Sequence, residues 1–228
     1  MFHVKRLPLA VRYADWLADA GTVRGLIGPR EVPRLWERHI LNCAVLADAI
    51  PESSTVADIG SGAGLPGLVT AIARPDLRVT LVEPLLRRTT FLSEVVEDLA
   101  LDNVEVVRGR ADALHGQRRF DVVTSRAVSS LDTLLDWSMP LVDRHGALVA
   151  MKGASAETEV GDAAAALTRW GCARPEIMAL GEGVVSPPTI AVRVVWADPS
   201  QVSWPPVSRA VRKSDRPGSA RRKPRGKG

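Results

Sequence analysis

The run Asp58-Ile-Gly-Ser-Gly-Ala-Gly-Leu-Pro-Gly67 gathers four glycines behind one carboxylate. Glycine lets a backbone turn sharply and approach a ligand where a Cβ would collide. Within the run, Gly62-x-Gly64-x-x-Gly67 fits the pattern that seats a dinucleotide pyrophosphate between a strand and a helix. Glu83 closes the next apolar run, where an acid can accept hydrogen bonds from both hydroxyls of a ribose. These features suit two ligands, NAD and S-adenosylmethionine, and Asp58 separates them. A carboxylate close to a pyrophosphate costs on the order of 1–4 kcal/mol at intermediate dielectric. The methionine end of S-adenosylmethionine carries an ammonium and a sulfonium, and a nearby anion favours both. The expected ligand is S-adenosylmethionine, held by Asp58, Gly60, Gly62, Gly64 and Glu83. The plainer alternative is a glycine-rich loop of structural use alone.

Such a turn needs a strand before it and a helix after it. The pattern predicts both: TVADIG, then a helix from about Pro66, a residue suited to a first helical turn. The alternation continues with RVTLVE and a helix through Phe91, Leu92, Val95 and Val96. VEVVRG and a short connection follow, then FDVVTS with a helix through Leu131, Leu134, Leu135 and Trp137, and ALVAMKG with a helix over EVGDAAAALTRW. Strand–helix alternation builds a parallel sheet covered on both faces. At the end, EIMALG and IAVRVVW are joined by Glu-Gly-Val-Val-Ser-Pro-Pro, too short for a crossover helix, so they pair as an antiparallel hairpin. The expected fold is α/β: a doubly wound, Rossmann-like sheet of the class I methyltransferase kind, five parallel strands plus an antiparallel C-terminal hairpin. Residues 1–50 read as a helical extension, residues 51–200 as the methyltransferase domain. In the extension, Leu9, Tyr13, Trp16 and Leu17 recur at helical spacing. A loop with Gly25, Gly28, Pro29 and Pro33 follows, and LWERHILNCAVLADAI forms a second helix stopped by Pro51.

The net charge of +4 is unevenly spread. Residues 205–228 hold nine Lys/Arg against one acid, Asp215, whereas the remaining 204 residues hold 21 Lys/Arg against 25 Asp/Glu. A segment of Arg, Lys, Pro, Gly and Ser cannot bury a core, so a disordered basic tail is expected. It serves either as a nucleic-acid arm or as a solubilising extension. The first residues carry no long apolar run, so neither a signal peptide nor a membrane span is expected. Cys43 and Cys172 stand in no metal or redox spacing. A reducing, cytoplasmic setting is expected, with no metal and no disulfide framework.

Missing residues narrow the acceptor. Methylation of cytosine C5 needs a cysteine nucleophile at the end of the fourth strand, and methylation of exocyclic amines commonly uses an Asn/Asp/Ser-Pro-Pro-aromatic turn there. This chain has Thr124-Ser125-Arg126-Ala127-Val128. An in-plane lone pair such as guanine N7 needs orientation and exclusion of water rather than a base. Arginine bidentate to guanine O6 and N7 is a common recognition contact, but it would occupy the lone pair to be methylated and is not assigned to Arg126.

Arg38-His39-Ile40-Leu41, the glycine run 58–67, Leu81-Val-Glu83, Arg88-x-x-Phe91-Leu92, Ser125-Arg126-Ala127 and Lys152-Gly153 occur in this order. On them the chain resembles the RsmG (GidB) family of bacterial 16S ribosomal RNA guanine-N7 methyltransferases, over roughly residues 13–196. The resemblance implies methylation of guanine N7 in 16S ribosomal RNA of the small ribosomal subunit. It implies cofactor contacts at Gly60 and Leu65, at Glu83, and at Ala111 and Asp112 near the adenine. It also puts Arg126, the candidate catalytic residue, at the mouth of the site. Two departures are Arg87, where the family commonly has lysine, and the basic tail, to which no family role transfers. A monomer without membrane attachment is expected.

Plainer readings stand beside these. His39 suits a core or capping role, and Asp112 an ordinary loop. Arg87, Arg88, Arg108, Arg110, Arg118 and Arg119 suit a solvated surface. Yet Arg108, Arg110, Arg126 and Lys152 all fall at carboxyl ends of strands, the ligand side of such sheets, and suggest a phosphate-facing rim. Two rival classes remain at this level: an NAD-dependent oxidoreductase, for which 228 residues leave little room for a substrate domain, and a non-catalytic RNA-binding protein, which has no need of Asp58, Gly60 and Glu83 together.

Overall fold

The computed structural model describes residues 2, 4–206 and 208. Apart from residues 205, 206 and 208, the basic tail expected over 205–228 lies outside the described residues.

Seven strands form one sheet: β1 (Thr55–Ile59), β2 (Arg78–Glu83), β3 (Val104–Arg108), β4 (Phe120–Arg126), β5 (Val142–Lys152), β6 (Glu176–Leu180) and β7 (Thr189–Val194), in the order β3-β2-β1-β4-β5-β7-β6. The first five are parallel, while β7 runs antiparallel to both β5 and β6. The hairpin therefore folds back, so that its second strand meets β5 and its first becomes the edge. The strand order reverses between β1 and β4, the switch point where ligands bind such sheets.

The strand residues are apolar because both faces are covered, and successive side chains go to opposite sides. Val56, Leu81, Val122 and Val149 join one buried cluster; Ala57, Val82, Val123 and Leu148 join the other. The first cluster is capped by α3 (Gly67–Ala73), α4 (Leu86–Asp98) and the N-terminal helices, the second by α5 (Leu131–Ser138), α6 (Ala156–Asp162) and α7 (Ala164–Trp170). The single helix expected over EVGDAAAALTRW is thus two, α6 beginning before that run and breaking from α7 at Ala163.

The N-terminal extension is part of the core rather than an appendage. Helix α1 (Leu7–Trp16) continues through a wider turn over Leu17–Gly21, and Tyr13 and Leu17 are fully buried. Pro29 and Pro33, expected in a loop, lie in a 3-10 turn over Pro29–Arg34, which their fixed φ suits. The second helix is a composite of a π-type segment Leu35–Leu41, α2 (Asn42–Ala44) and a 3-10 turn Val45–Ala49. Burying large apolar side chains such as Leu17, Ile40 and Leu46 contributes about 1.5–3 kcal/mol each before ordering costs, which fixes these helices in the cluster that holds Val56 and Leu81.

No helix among the described residues is long and apolar enough to cross a membrane, and no group of three or more His, Cys, Asp or Glu side chains could hold a metal ion.

Candidate functional site

At the end of β1 the chain turns back over β2, because Gly60 and Ser61 both donate their N–H to the Val82 carbonyl, at 2.8 and 3.2 Å. Gly60 (φ +70°) and Gly62 (φ +58°) take left-handed conformations that any other residue adopts only with strain. A Cβ on Gly62 would meet nothing nearer than the Gly60 carbonyl oxygen, 3.8 Å away, so the backbone is bare toward the cleft that it lines. Gly64 faces inward onto Leu68 and is not part of the cleft wall.

Asp58 lies beneath this turn rather than in the cleft. It is fully buried, its Oδ2 accepts the Gly67 N–H at 3.0 Å, and its Oδ1 has no hydrogen-bond partner. Burial pushes its carboxyl up to about 7, against the opposing pull of the Gly67 amide. The first amide of α3 is thus occupied by a protein carboxylate. From α1, the buried Tyr13 hydroxyl donates to the Ala63 carbonyl at 2.8 Å and pins the other side of the loop.

Glu83 is buried at the end of β2. Its Oε2 accepts from the Gly62 N–H and its Oε1 from the Leu85 N–H, both at 3.0 Å, and Arg88 Nη1 lies 3.4 Å from Oε2. These contacts orient a carboxylate that still has lone-pair sites for hydroxyl donors. After β3, a 3-10 turn over Ala111–Leu114 presents a buried Ala111 and an exposed Asp112. The cleft so formed measures about 530 Å³. Gly60, Gly62, Leu65, Glu83, Ala111, Asp112 and Arg126 line it, together with Arg110; Asp58 and Gly64 do not.

Arg126, half-buried at the end of β4, is held from the N-terminal extension. Its Nη1 stands 3.1 Å from His39 Nδ1, and His39 Nε2 stands 2.9 Å from Glu31 Oε2. A guanidinium can only donate, so Nδ1 accepts and the imidazole is neutral, with its proton on Nε2 directed at Glu31. Burial holds the His39 pKa below its ordinary value, with Glu31 pulling it up and Arg126 pulling it down. Beyond Arg126, a second cavity of about 550 Å³ shares the Arg126–Ala127 wall and includes Arg38 and Lys152.

A family model described as rRNA small subunit methyltransferase G (GidB) matches residues 6–183. The chain belongs to this family. It is 66% identical over 205 residues, covering 90% of this chain and 82% of the other, to a ribosomal RNA small subunit methyltransferase G from Nocardioides sp. (strain ATCC BAA-499 / JS614). It is 59% identical to the protein of the same name from Streptomyces coelicolor, covering 81% and 78%. Among solved structures it is similar to a precorrin-6y C5,15-methyltransferase from Geobacter metallireducens GS-15, with a TM-score of 0.51 and 17% identity over 75% of this chain and 90% of that one. That likeness concerns the fold, which is that of class I methyltransferases. The chain is accordingly an enzyme, a methyltransferase of the GidB family.

In this GidB chain, the arginines divide by partner. Arg118 pairs with Glu105 and stacks on Phe120, and Arg119 pairs with Asp143 and stacks on Trp204, as a solvated surface would have it. Arg88 and Arg110 line the cleft and Lys152 lines the second cavity, whereas Arg108 is an exposed residue outside the cleft wall. Glu31 went unnoticed in the sequence, and Tyr13 reads there only as part of a helical apolar face, not as a brace for the glycine turn. No periodic signal marks Glu31, because it lies in the 3-10 turn Pro29–Arg34 and meets His39 of the following segment through the bend between them.

Proposed function

We propose that this protein transfers the methyl group of S-adenosylmethionine to N7 of a guanine in 16S ribosomal RNA of the small ribosomal subunit, acting as a monomer in the cytoplasm. In this reading residues 1–50 brace the site, residues 51–200 form the catalytic domain, and residues 205–228 supply an electrostatic arm. Family membership supports the RNA substrate class. The observation that carries the cofactor is Asp58: its Oδ2 takes the Gly67 amide, the first of α3, that a pyrophosphate would need, an arrangement that disfavours NAD and is compatible with a cationic methionine end.

The residues fit that group. Glu83, oriented by the Gly62 and Leu85 amides, would accept from the ribose hydroxyls; the bare backbone at Gly60 and Gly62 leaves room for the methionine moiety; Ala111 and Asp112 would border the adenine. When bound, S-adenosylmethionine supplies an electrophilic methyl on a sulfonium. Guanine N7 offers a lone pair and no proton, so the protein needs no general base; it must orient the base and exclude water. Arg126 uses one of its five N–H donors on His39 and presents the rest of its fork at the wall between the two cavities, positioned for an RNA phosphate or carbonyl.

Calorimetry with S-adenosylmethionine and NADH tests the cofactor, and binding of NADH alone would refute the reading. Mapping N7-methylguanine in ribosomal RNA from cells with and without the gene tests the product.

A further inference from the structure

The second cavity has a chemistry of its own. Pro187, Pro188 and Ile190 give it an apolar side, while Arg38, Arg126 and Lys152 make the rest cationic. Within that lining, among the described residues, Glu159 is the single acid. Ala127, on the wall shared with the cofactor cleft, holds φ +53°, a left-handed backbone that is strained for a non-glycine residue and that clusters at functional sites. A Cβ on Gly153, also in the lining, would meet nothing within 4 Å.

Glu159 is paired with Lys152, which offsets its charge toward phosphate, and its carboxylate keeps lone-pair sites that can accept hydrogen bonds from a base. Glu159 is built to stay an anion. Lys152 Nζ donates to its Oε2 at 2.7 Å while also donating to the Ser129 carbonyl at 2.7 Å, and Ser155 Oγ donates to its Oε1 at 3.0 Å. Burial works to raise its pKa, but the Lys152 and Ser155 contacts outweigh it and keep the carboxyl below its ordinary value. Among RNA bases, guanine carries two adjacent donors, N1–H and the N2 amino group, which match the two oxygens of a carboxylate. Adenine puts an acceptor at N1 and would be repelled. Reading guanine on that edge leaves N7, on the other side of the purine, unmasked.

We infer that this second cavity receives the acceptor guanine, splayed from the RNA, with the Glu159 carboxylate accepting from N1–H and N2–H and the Arg126–Ala127 wall setting N7 against the cofactor cleft. The inference rests on the methyl-transfer reading above. In the step, the N7 lone pair forms the C–N bond, the S–CH₃ bond breaks, and its electron pair returns to sulfur. No proton moves, and the purine gains one positive charge. A carboxylate on N1–H is worth more to that cationic purine than to neutral guanine, so Glu159 would favour the transition state over the ground state.

The test uses the full chain and small subunits from cells lacking the gene. Ala179→Trp, on the exposed edge strand β6, and Gly153→Leu fill the cavity from two sides without entering the cofactor cleft. Both are expected to bind S-adenosylmethionine within about twofold of wild type by calorimetry, yet to lose about 100-fold in kcat/KM for methylation. Glu159→Gln addresses the base edge. Guanosine monophosphate is expected to inhibit the wild-type protein at about tenfold lower concentration than inosine monophosphate, which lacks the N2 amino group, and Glu159→Gln to abolish that preference. Filled-cavity variants methylating within threefold of wild type would overturn the cavity, and equal inhibition of the wild-type protein by both nucleotides would overturn Glu159. Either result with N7-methylguanine still formed by wild type leaves the methyl-transfer reading standing; absence of that product would sink both.

Discussion

Arg126 and His39, 87 residues apart in sequence, are joined by a single contact of 3.1 Å between Nη1 and Nδ1. The contact ties the end of β4 to the N-terminal extension, and through His39 Nε2 to Glu31. An arginine pinned at one nitrogen keeps a fixed plane, which a lysine cannot reproduce. Arg126→Ala is expected to lose methyl transfer by at least about 100-fold at saturating S-adenosylmethionine while the protein stays folded. Arg126→Lys should recover little. Unchanged turnover in Arg126→Ala would remove the residue from the site.

The same contact predicts a pH dependence. As pH falls through the His39 pKa, Nδ1 gains a proton and faces the guanidinium donor to donor, so the tie to Arg126 breaks. Burial holds that pKa below the ordinary imidazole value, and Glu31 pulls it upward. The acid limb of kcat/KM should therefore fall below about pH 6.5 in wild type. In Glu31→Gln, where the upward pull is gone, it should move to lower pH. A limb displaced upward would contradict the assigned tautomer.

Why some of this was legible in sequence and some not follows from range. The strands announced themselves because both faces are buried, so Val56, Ala57, Val122 and Val123 are all apolar. The hairpin was legible from the length of its linker. The Glu31–His39–Arg126 chain left no periodic trace, since it joins helix to strand end across most of a domain. Asp58 is intermediate. Its presence was the ground for expecting S-adenosylmethionine, but the sequence reading aimed it at the ligand. Period-2 alternation places it on the face of Val56, toward α3, and its carboxylate accordingly meets the Gly67 amide.

The glycine turn separates strain from ligand contact. Gly62→Val forces a side chain into a left-handed position, at a cost of roughly 1–2 kcal/mol, but meets little protein. It should abolish S-adenosylmethionine binding while leaving the protein folded. Gly60→Val should also abolish binding, with a larger drop in Tm, because its Cβ would lie 2.9 Å from Val128 Cγ2. Calorimetry and melting curves on the two variants check this. Wild-type affinity in Gly62→Val would mean that the cofactor does not approach the turn.

Asp58 gives a stability prediction with a definite sign. Its folded pKa of about 7 lies above the ordinary carboxyl value, so the folded protein binds a proton that the unfolded chain releases. Stability from this group is therefore full at low pH and is lost as pH rises through about 7. Between pH 5 and 8, wild type should lose on the order of 2–3 kcal/mol relative to Asp58→Asn, which does not titrate. Denaturant unfolding of both proteins across that range measures the difference. A constant difference would show that Asp58 is ionised throughout.

The last prediction concerns residues 205–228, with nine Lys/Arg against one acid. The rest of the chain is slightly anionic, with 21 Lys/Arg against 25 Asp/Glu, so long-range attraction to RNA must come largely from this segment. Each phosphate neutralised contributes a salt slope of about −0.7 on single strands or −0.9 on duplex. If half of the cations engage, deleting residues 205–228 should flatten the plot of log affinity against log salt by about 3–4 units. S-adenosylmethionine affinity and Tm should barely change, because Glu83, the glycine turn and the Glu31–His39–Arg126 chain all lie outside the deleted segment. The comparison is binding of full-length and truncated protein to small subunits across a salt series. Identical slopes would reduce the segment to a solubilising extension.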